Sequence, residues 1–452
     1  MIFIYVYLLF LIGFSFNYLL KKLNVLNSLN KCEEFSLIAS SGLTIFVLYM
    51  LILGYLSIPL TQNIFIPIIL NCIIATILIV WKILKTIIHM PKINFDKIWN
   101  NKITILLFTC LLIWIFYAIS IGLSNFLMYS DEYAVWALNA KNIYISNKLN
   151  FFINTGLEVY PDMMPLLSSG FYIFNNGIVE NCITIFSGIY FLIGAIGLIG
   201  YGIRKKLNVN FIILFLLFGM TSYNLMFTVT TNCYADIPFM ATYAVGIIYI
   251  AEWVLFERKK DYLWISAINM MAYSFMKPES IYLTLFTVVL LLIIKFFSKQ
   301  LAVTKINSKD LIIYSCAILF FPISWKLYTI LAKFPKHLFL GGSDTINFKY
   351  TVSLFENMSQ QFYQCIPWVM IFILFIIGLM LGYKSMKSNE KRYILLCLIF
   401  MLANIGFLTA SYLLVFGAEA ITAASFIRYL TRIYMLAIIV DAFLLKAIHN
   451  KN

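Results

Sequence analysis

The sequence predicts an all-α polytopic membrane protein with about thirteen transmembrane helices, and two observations carry that expectation. Of its 452 residues 62% are hydrophobic and 12% charged, which excludes an ordinary soluble domain, a disordered chain and a disulfide-stapled secreted module. The apolar residues also fall in runs near the roughly 20 residues that a span requires, without the sustained alternation of strands. Each run is bounded by charge or by Asn, Pro or Gly.

In order, the runs cover 1–20, 35–57, 64–84, 103–124, 183–203, 211–229, 237–256, 262–276, 280–295, 311–331, 364–383, 393–415 and 427–445. The first is read as a span and not a signal peptide, because it lacks a basic leader and a small-residue cleavage site before Lys21-Lys22. Three regions follow: an N-terminal three-helix region (1–102), a core (103–295) with an external loop at 125–182, and C-terminal helices (296–452) with an external loop at 332–363. Segment 125–182 is too apolar for a plain loop. Tyr133, Val135, Trp136, Ala137, Ala140, Ile143 and Tyr144 predict one interfacial helix, and Met163 to Phe174 a second.

Most of the 33 Lys and Arg residues lie in alternate connections, such as Lys21-Lys22, Arg204-Lys205-Lys206 and Arg258-Lys259-Lys260. Such loops are cytoplasmic by the positive-inside rule, so the +14 net charge orients the chain and nucleic acid is rejected as a partner. Four of the eight cysteines, Cys72, Cys110, Cys316 and Cys397, sit inside apolar runs without metal-ligand spacing. The three histidines are scattered. Neither a His-based metal site nor a Ser-His-Asp triad is expected, which leaves carboxylates and cations for any chemistry.

Orientation by Lys and Arg alone puts Asp131-Glu132, Asp236, Lys277-Pro278-Glu279 and Arg428 at one face, the extracytoplasmic one. Asp131-Glu132 opens the first interfacial helix. It is either an acidic helix start or a carboxylate able to take a hydroxyl proton or hold a divalent metal. Asp236, two residues before Pro238, is either a helix cap or a functional acid. Lys277 and Glu279 interrupt an apolar stretch, where each charge costs about 2.5–3.5 kcal/mol on insertion scales. They line a cavity or pair with each other across a kinked break. Arg428 and Arg432, four residues apart, face one direction and suit a lipid phosphate or ordinary headgroups.

The order of these elements resembles the GT-C glycosyltransferases, specifically bacterial members related to protein mannosyltransferases and aminoarabinose transferases. The likeness runs over about 103–295: a span ending in Asp131-Glu132, a surface helix, a second one ending in Phe174-Asn175-Asn176-Gly177, an outer Ala235-Asp236-Ile237-Pro238, and Met276-Lys277-Pro278-Glu279. Arg428-Tyr429-Leu430 is a looser match. The resemblance implies a GT-C-like fold and a sugar donor carried on a polyprenyl phosphate. The acceptor, a glycan, lipid or protein, would approach from the outer side of the cell membrane.

By the same resemblance Asp131 is the general base, Glu132 its orienting neighbour, and Asp236 a second acid holding the acceptor or a metal. Lys277, Arg428 and Arg432 would neutralise the departing phosphate, with Glu279 beside them, and Trp136 or Tyr160 would form a wall facing the sugar. No cofactor is required, while a divalent metal on Asp131 and Asp236 stays open. Two positions depart from the pattern: Lys-Pro-Glu-Ser replaces the common Lys-Gly or Lys-x-Glu-Gly, and Lys141 is the nearest cation after the acid pair. The alternatives are an O-antigen-type polymerase relying on external arginines and a lipid-linked saccharide flippase or transporter.

Overall fold

A chain immersed in lipid must satisfy its backbone hydrogen bonds internally, so long apolar runs become helices. The computed structural model describes all residues except 89–101, 125–135, 150–162, 223–234, 258, 278, 299–305, 332–350, 415–421, 424 and 451–452, and those described form helices with no strand. In chain order the helices are α1 (Ile2–Lys22), α2 (Lys31–Tyr55), α3 (Phe65–Ile88), α4 (Lys102–Ser124), α5 (Leu138–Ser146) and α6 (Met163–Asn175). Next come α7 (Cys182–Lys205), α8 (Val209–Thr221), α9 (Asp236–Leu255), α10 (Lys260–Ser274) and α11 (Ser280–Phe296). Five more complete the bundle: α12 (Ser308–Leu331), α13 (Thr351–Gln364), α14 (Ile366–Gly382), α15 (Ser388–Leu414) and α16 (Phe426–His449).

Among the described residues, nine helices are long and apolar enough to cross a membrane, so the chain is compatible with a multi-pass membrane protein. They correspond to α1–α4, α7, α9, α12, α14 and α15. The other four expected spans are also helices. Of these, α8, α10 and α11 have 13, 15 and 17 residues, and α16 carries Arg428, Arg432 and Asp441 within its apolar sequence.

The most buried helix is α9, whose residues from Asp236 to Val254 are all enclosed. It packs on α7, α10, α15 and α16. Close approach depends on small residues: a Cβ at Gly194 of α7 would lie 2.8 Å from the Ala241 Cβ, and one at Gly246 would lie 2.6 Å from Met270. The tightest crossing is between α1 and α2, where a Cβ on Gly13 would fall 1.8 Å from the Ile38 carbonyl oxygen. Peripheral helices turn large apolar side chains outward, including Ile74 and Ile77 of α3, Phe116 of α4 and Met380 of α14.

The segment from Met163 is a helix, as expected, and every residue from Met163 to Ile173 is buried against the rest of the chain. Ser168, Ser169 and Gly170 are small residues buried in the packing of this helix. Tyr5 donates to the Leu167 carbonyl at 3.0 Å, and a Cβ at Gly170 would lie 2.5 Å from Phe46. Within the expected external loop 332–363, residues from Thr351 form α13, which turns Leu354 and Met358 inward and Val352 and Tyr363 outward.

Both ends of α9 carry buried charge, Asp236 at one and Glu252 at the other, about 24 Å apart along the axis. At the Glu252 end, Lys205 pairs with Glu252 at 2.5 Å and Tyr201 donates to it at 3.0 Å. Glu33 closes a capping box with Asn30 at the start of α2, receives both Nε and Nη2 of Arg204, and accepts from Tyr249 at 3.0 Å. Asp261 accepts from the backbone of Asn27 and Ser28 at 3.0 and 2.8 Å. This clasp ties α2 and the α1–α2 connection to α7, α9 and α10. Glu33→Gln is expected to lower stability by roughly 1–3 kcal/mol, since Arg204 loses its charged partner but keeps some solvent access. The midpoint of denaturant unfolding in micelles measures it, and an unshifted midpoint counts against the clasp.

Candidate functional site

The opposite end of α9 begins after Ala235, and Asp236 is its first helical residue. Ala235 occupies the N-cap position, so Asp236 does not. The carboxyl is fully buried and turned toward the α10–α11 turn, where Lys277 Nζ donates to Oδ1 at 2.6 Å. Of the two readings of Asp236, the cap is not the one adopted.

Lys277 and Glu279 project from the turn to different neighbours and do not pair locally. Glu279 Oε1 accepts from Arg432 Nη2 at 2.7 Å, and Arg432 Nε lies 3.6 Å from Asp236 Oδ1. Arg428, one turn earlier on α16, brings Nε to 3.6 Å from Asp236 Oδ2. The i, i+4 spacing thus delivers both guanidinium groups to one carboxylate. Tyr429 lies between them, with the Arg432, Arg428 and Lys277 head groups 4.2, 5.2 and 5.9 Å from its ring centroid, and Arg432 also lies 4.7 Å from the Phe239 ring centroid. The aromatic faces offer the cations quadrupole attraction where water is scarce.

Among the described residues the site brings three cations together with two carboxylates. Burial pushes the Glu279 carboxyl up, but Arg432 and Lys277 more than offset it and hold it below the ordinary glutamate range. Burial likewise holds the Lys277 ammonium below the ordinary lysine range, against the pull of Asp236. Three cations gathered at one end of α9 suit an anionic ligand.

Arg428 also reaches a pocket of about 320 Å³, lined with it by Gln361, Gln364, Cys365, Ser425 and Ile427. Gln361 holds the pocket wall by donating to the carbonyls of Thr422 and Ala423, each at 3.0 Å. Ala423 and Ser425 take left-handed φ of 49° and 61° just before α16, a backbone state that non-glycine residues adopt at a cost. On the other side, Met163 N at the head of α6 donates to the Phe275 carbonyl, 3.3 Å away, next to the Lys277 turn.

Asp236, Lys277, Glu279, Arg428 and Arg432 therefore converge from three chain segments. Trp136 is buried immediately before α5. Asp131, Glu132 and Tyr160 lie outside the described residues. Sequence reasoning missed Phe239 and Tyr429 as platforms. For Tyr429 the available signal was its position between two arginines. No group of three or more His, Cys, Asp or Glu comes together among the described residues. Three cations around Asp236 are a poor setting for a divalent metal, which they would repel. Comparison with protein-family models, curated proteins and solved structures finds no match.

Proposed function

We propose that the chain is an inverting glycosyltransferase that moves a sugar from a polyprenyl-phosphate donor to an acceptor at the extracytoplasmic face of the cell membrane. The supporting observation is the cluster of three cations and two carboxylates among the described residues, with Arg428 reaching from it into a pocket. Lys277, Arg428 and Arg432 offer charge-assisted hydrogen bonds of the kind a phosphodiester accepts. The residue order shared with GT-C enzymes supports a fold of that type with about thirteen crossings, and the Lys- and Arg-rich connections support the orientation.

In this reading the acceptor hydroxyl gives its proton to Asp131, oriented by Glu132, and its oxygen bonds to the anomeric carbon opposite the phosphate. The bond from that carbon to the phosphate oxygen breaks, and the polyprenyl phosphate leaves with both electrons. Lys277, Arg428 and Arg432 meet the charge that develops on it. Asp236 and Glu279 hold those cations in register, and Trp136 and Tyr160 wall the sugar. A second reading, a lipid-linked saccharide polymerase, is favoured by the two arginines, which such an enzyme would use without the acid pair.

Arg428 is the most exposed of the three cations, at 17% of its side chain, and its loss leaves the Lys277–Asp236 and Arg432–Glu279 pairs in place. Arg428→Gln is expected to weaken binding of a polyprenyl-phosphate hexose by roughly tenfold to a hundredfold, the worth of a hydrogen bond to a charged group. Titration of the protein in lipid nanodiscs reads this. Undiminished affinity removes the phosphate seat from this cluster.

A further inference from the structure

Asp441 lies on α16 thirteen residues beyond Arg428, about 20 Å along the axis, and takes no part in the cluster above. Its side chain is fully buried. Neither carboxyl oxygen has a hydrogen-bond partner among the described residues. The helices packed on α16 bring it no counter-ion. α8 and α14 carry no titratable side chain. From α9, Asp236 serves the cations at the far end, Tyr243 donates to the Phe400 carbonyl, Tyr249 to Glu33, and Glu252 binds Lys205.

From α7, Arg204 and Lys205 are taken by Glu33 and Glu252, Tyr201 donates to Glu252, and Cys182 and Tyr190 are neutral. From α15, Glu390 is bound to Lys446 at 3.1 Å, Lys391 and Arg392 belong to its first turns, and Tyr393, Cys397 and Tyr412 are neutral. α13 brings Glu356 and Tyr363. On α16 itself, Tyr434 donates to the Phe215 carbonyl at 2.9 Å, Lys446 also bonds the Lys205 carbonyl at 3.0 Å, Arg428 and Arg432 belong to the far end and His449 is exposed, as are Tyr383 and Lys384 of the short turn 383–385 that also packs on α16.

We infer that Asp441 is a proton-binding site within the helical bundle, a carboxyl that carries its proton and reacts as a neutral acid with a lipid-soluble carbodiimide. An ionised carboxylate with no cation and no donor cannot be sustained in such surroundings, and a group in that position neutralises instead. In the reaction the acid proton passes to one carbodiimide nitrogen and the carboxyl oxygen bonds to the central carbon. The O-acylisourea then shifts its acyl group to nitrogen, giving a stable N-acylurea, with no oxidant or reductant consumed. The site is independent of the sugar-transfer reading. It adds a proton-dependent element to the same helix that supplies Arg428 and Arg432.

Infrared spectra of the full chain in lipid nanodiscs at neutral pH, compared with Asp441→Asn, test it directly. The expected difference is the carbonyl stretch of one neutral carboxylic acid, present in the parent and absent in the variant. Treatment with dicyclohexylcarbodiimide is expected to put a single adduct on the peptide containing Asp441, with a water-soluble carbodiimide leaving that peptide unmodified. Absence of the infrared band, or labelling by the water-soluble reagent in preference, overturns the proposal. The near-isosteric variant replaces a neutral acid with a neutral amide, so its unfolding midpoint is expected to match the parent's.

Discussion

Sugar transfer by the Asp131→Asn protein is expected to fall by about 10²–10⁴-fold, the usual worth of a positioned general base, while the donor binds as tightly as before. Asparagine keeps the shape of the side chain but cannot take the acceptor proton. A phosphate leaving group needs no protonation, so no second acid compensates. Binding is preserved because the proposed phosphate seat consists of Lys277, Arg428 and Arg432. Single-turnover transfer from a labelled donor, paired with a donor titration, separates the two quantities. Transfer at the parent rate would eliminate Asp131 as the base and shift the balance to the arginine-based polymerase.

Asp236→Asn is expected to remove about 3–5 kcal/mol of stability, the cost of breaking a buried ion pair from one side. The fully buried carboxylate faces Lys277, Arg428 and Arg432 at 2.6, 3.6 and 3.6 Å. Without it Glu279 is the one carboxylate left beside the three cations among the described residues. Adding Lys277→Met to Asp236→Asn is expected to return part of the loss, because the unpaired ammonium is then gone. The double-mutant cycle should show a coupling of about 0.5–3 kcal/mol. Denaturant unfolding in mixed micelles supplies all four values, and strict additivity would mean that the pair does not hold the cluster together.

These two residues illustrate what was readable beforehand. Charges inside apolar sequence stand out because each is costly there, so Asp236, Lys277, Glu279, Arg428 and Arg432 could all be singled out without coordinates. Their partners could not. The local pairing of Lys277 with Glu279 is the one a sequence suggests, yet Lys277 binds a carboxylate 41 positions away and Glu279 a guanidinium 153 positions away. A turn aims successive side chains at different helices, and no pattern in the turn itself reveals which helices those are. The same holds for α6, where Gly170 has no side chain because Tyr5 and Phe46 press against it. Tyr429 was hidden among 29 tyrosines. Asp441, a lone acid in the apolar run 427–445, was passed over in the sequence, and its isolation shows only in the packing.

Composition and the lengths of the apolar runs alone determined that the chain is a helical membrane protein, since lipid leaves the backbone no other economical way to bond itself. They also marked the sparse charges as the positions where chemistry could reside. Only the tertiary structure decided that three cations and two carboxylates from α9, the α10–α11 turn and α16 meet at one end of the bundle, while Asp441 on that last helix meets none. Ion pairing depends on distances of a few ångströms between groups far apart in sequence, and helix packing alone sets those distances.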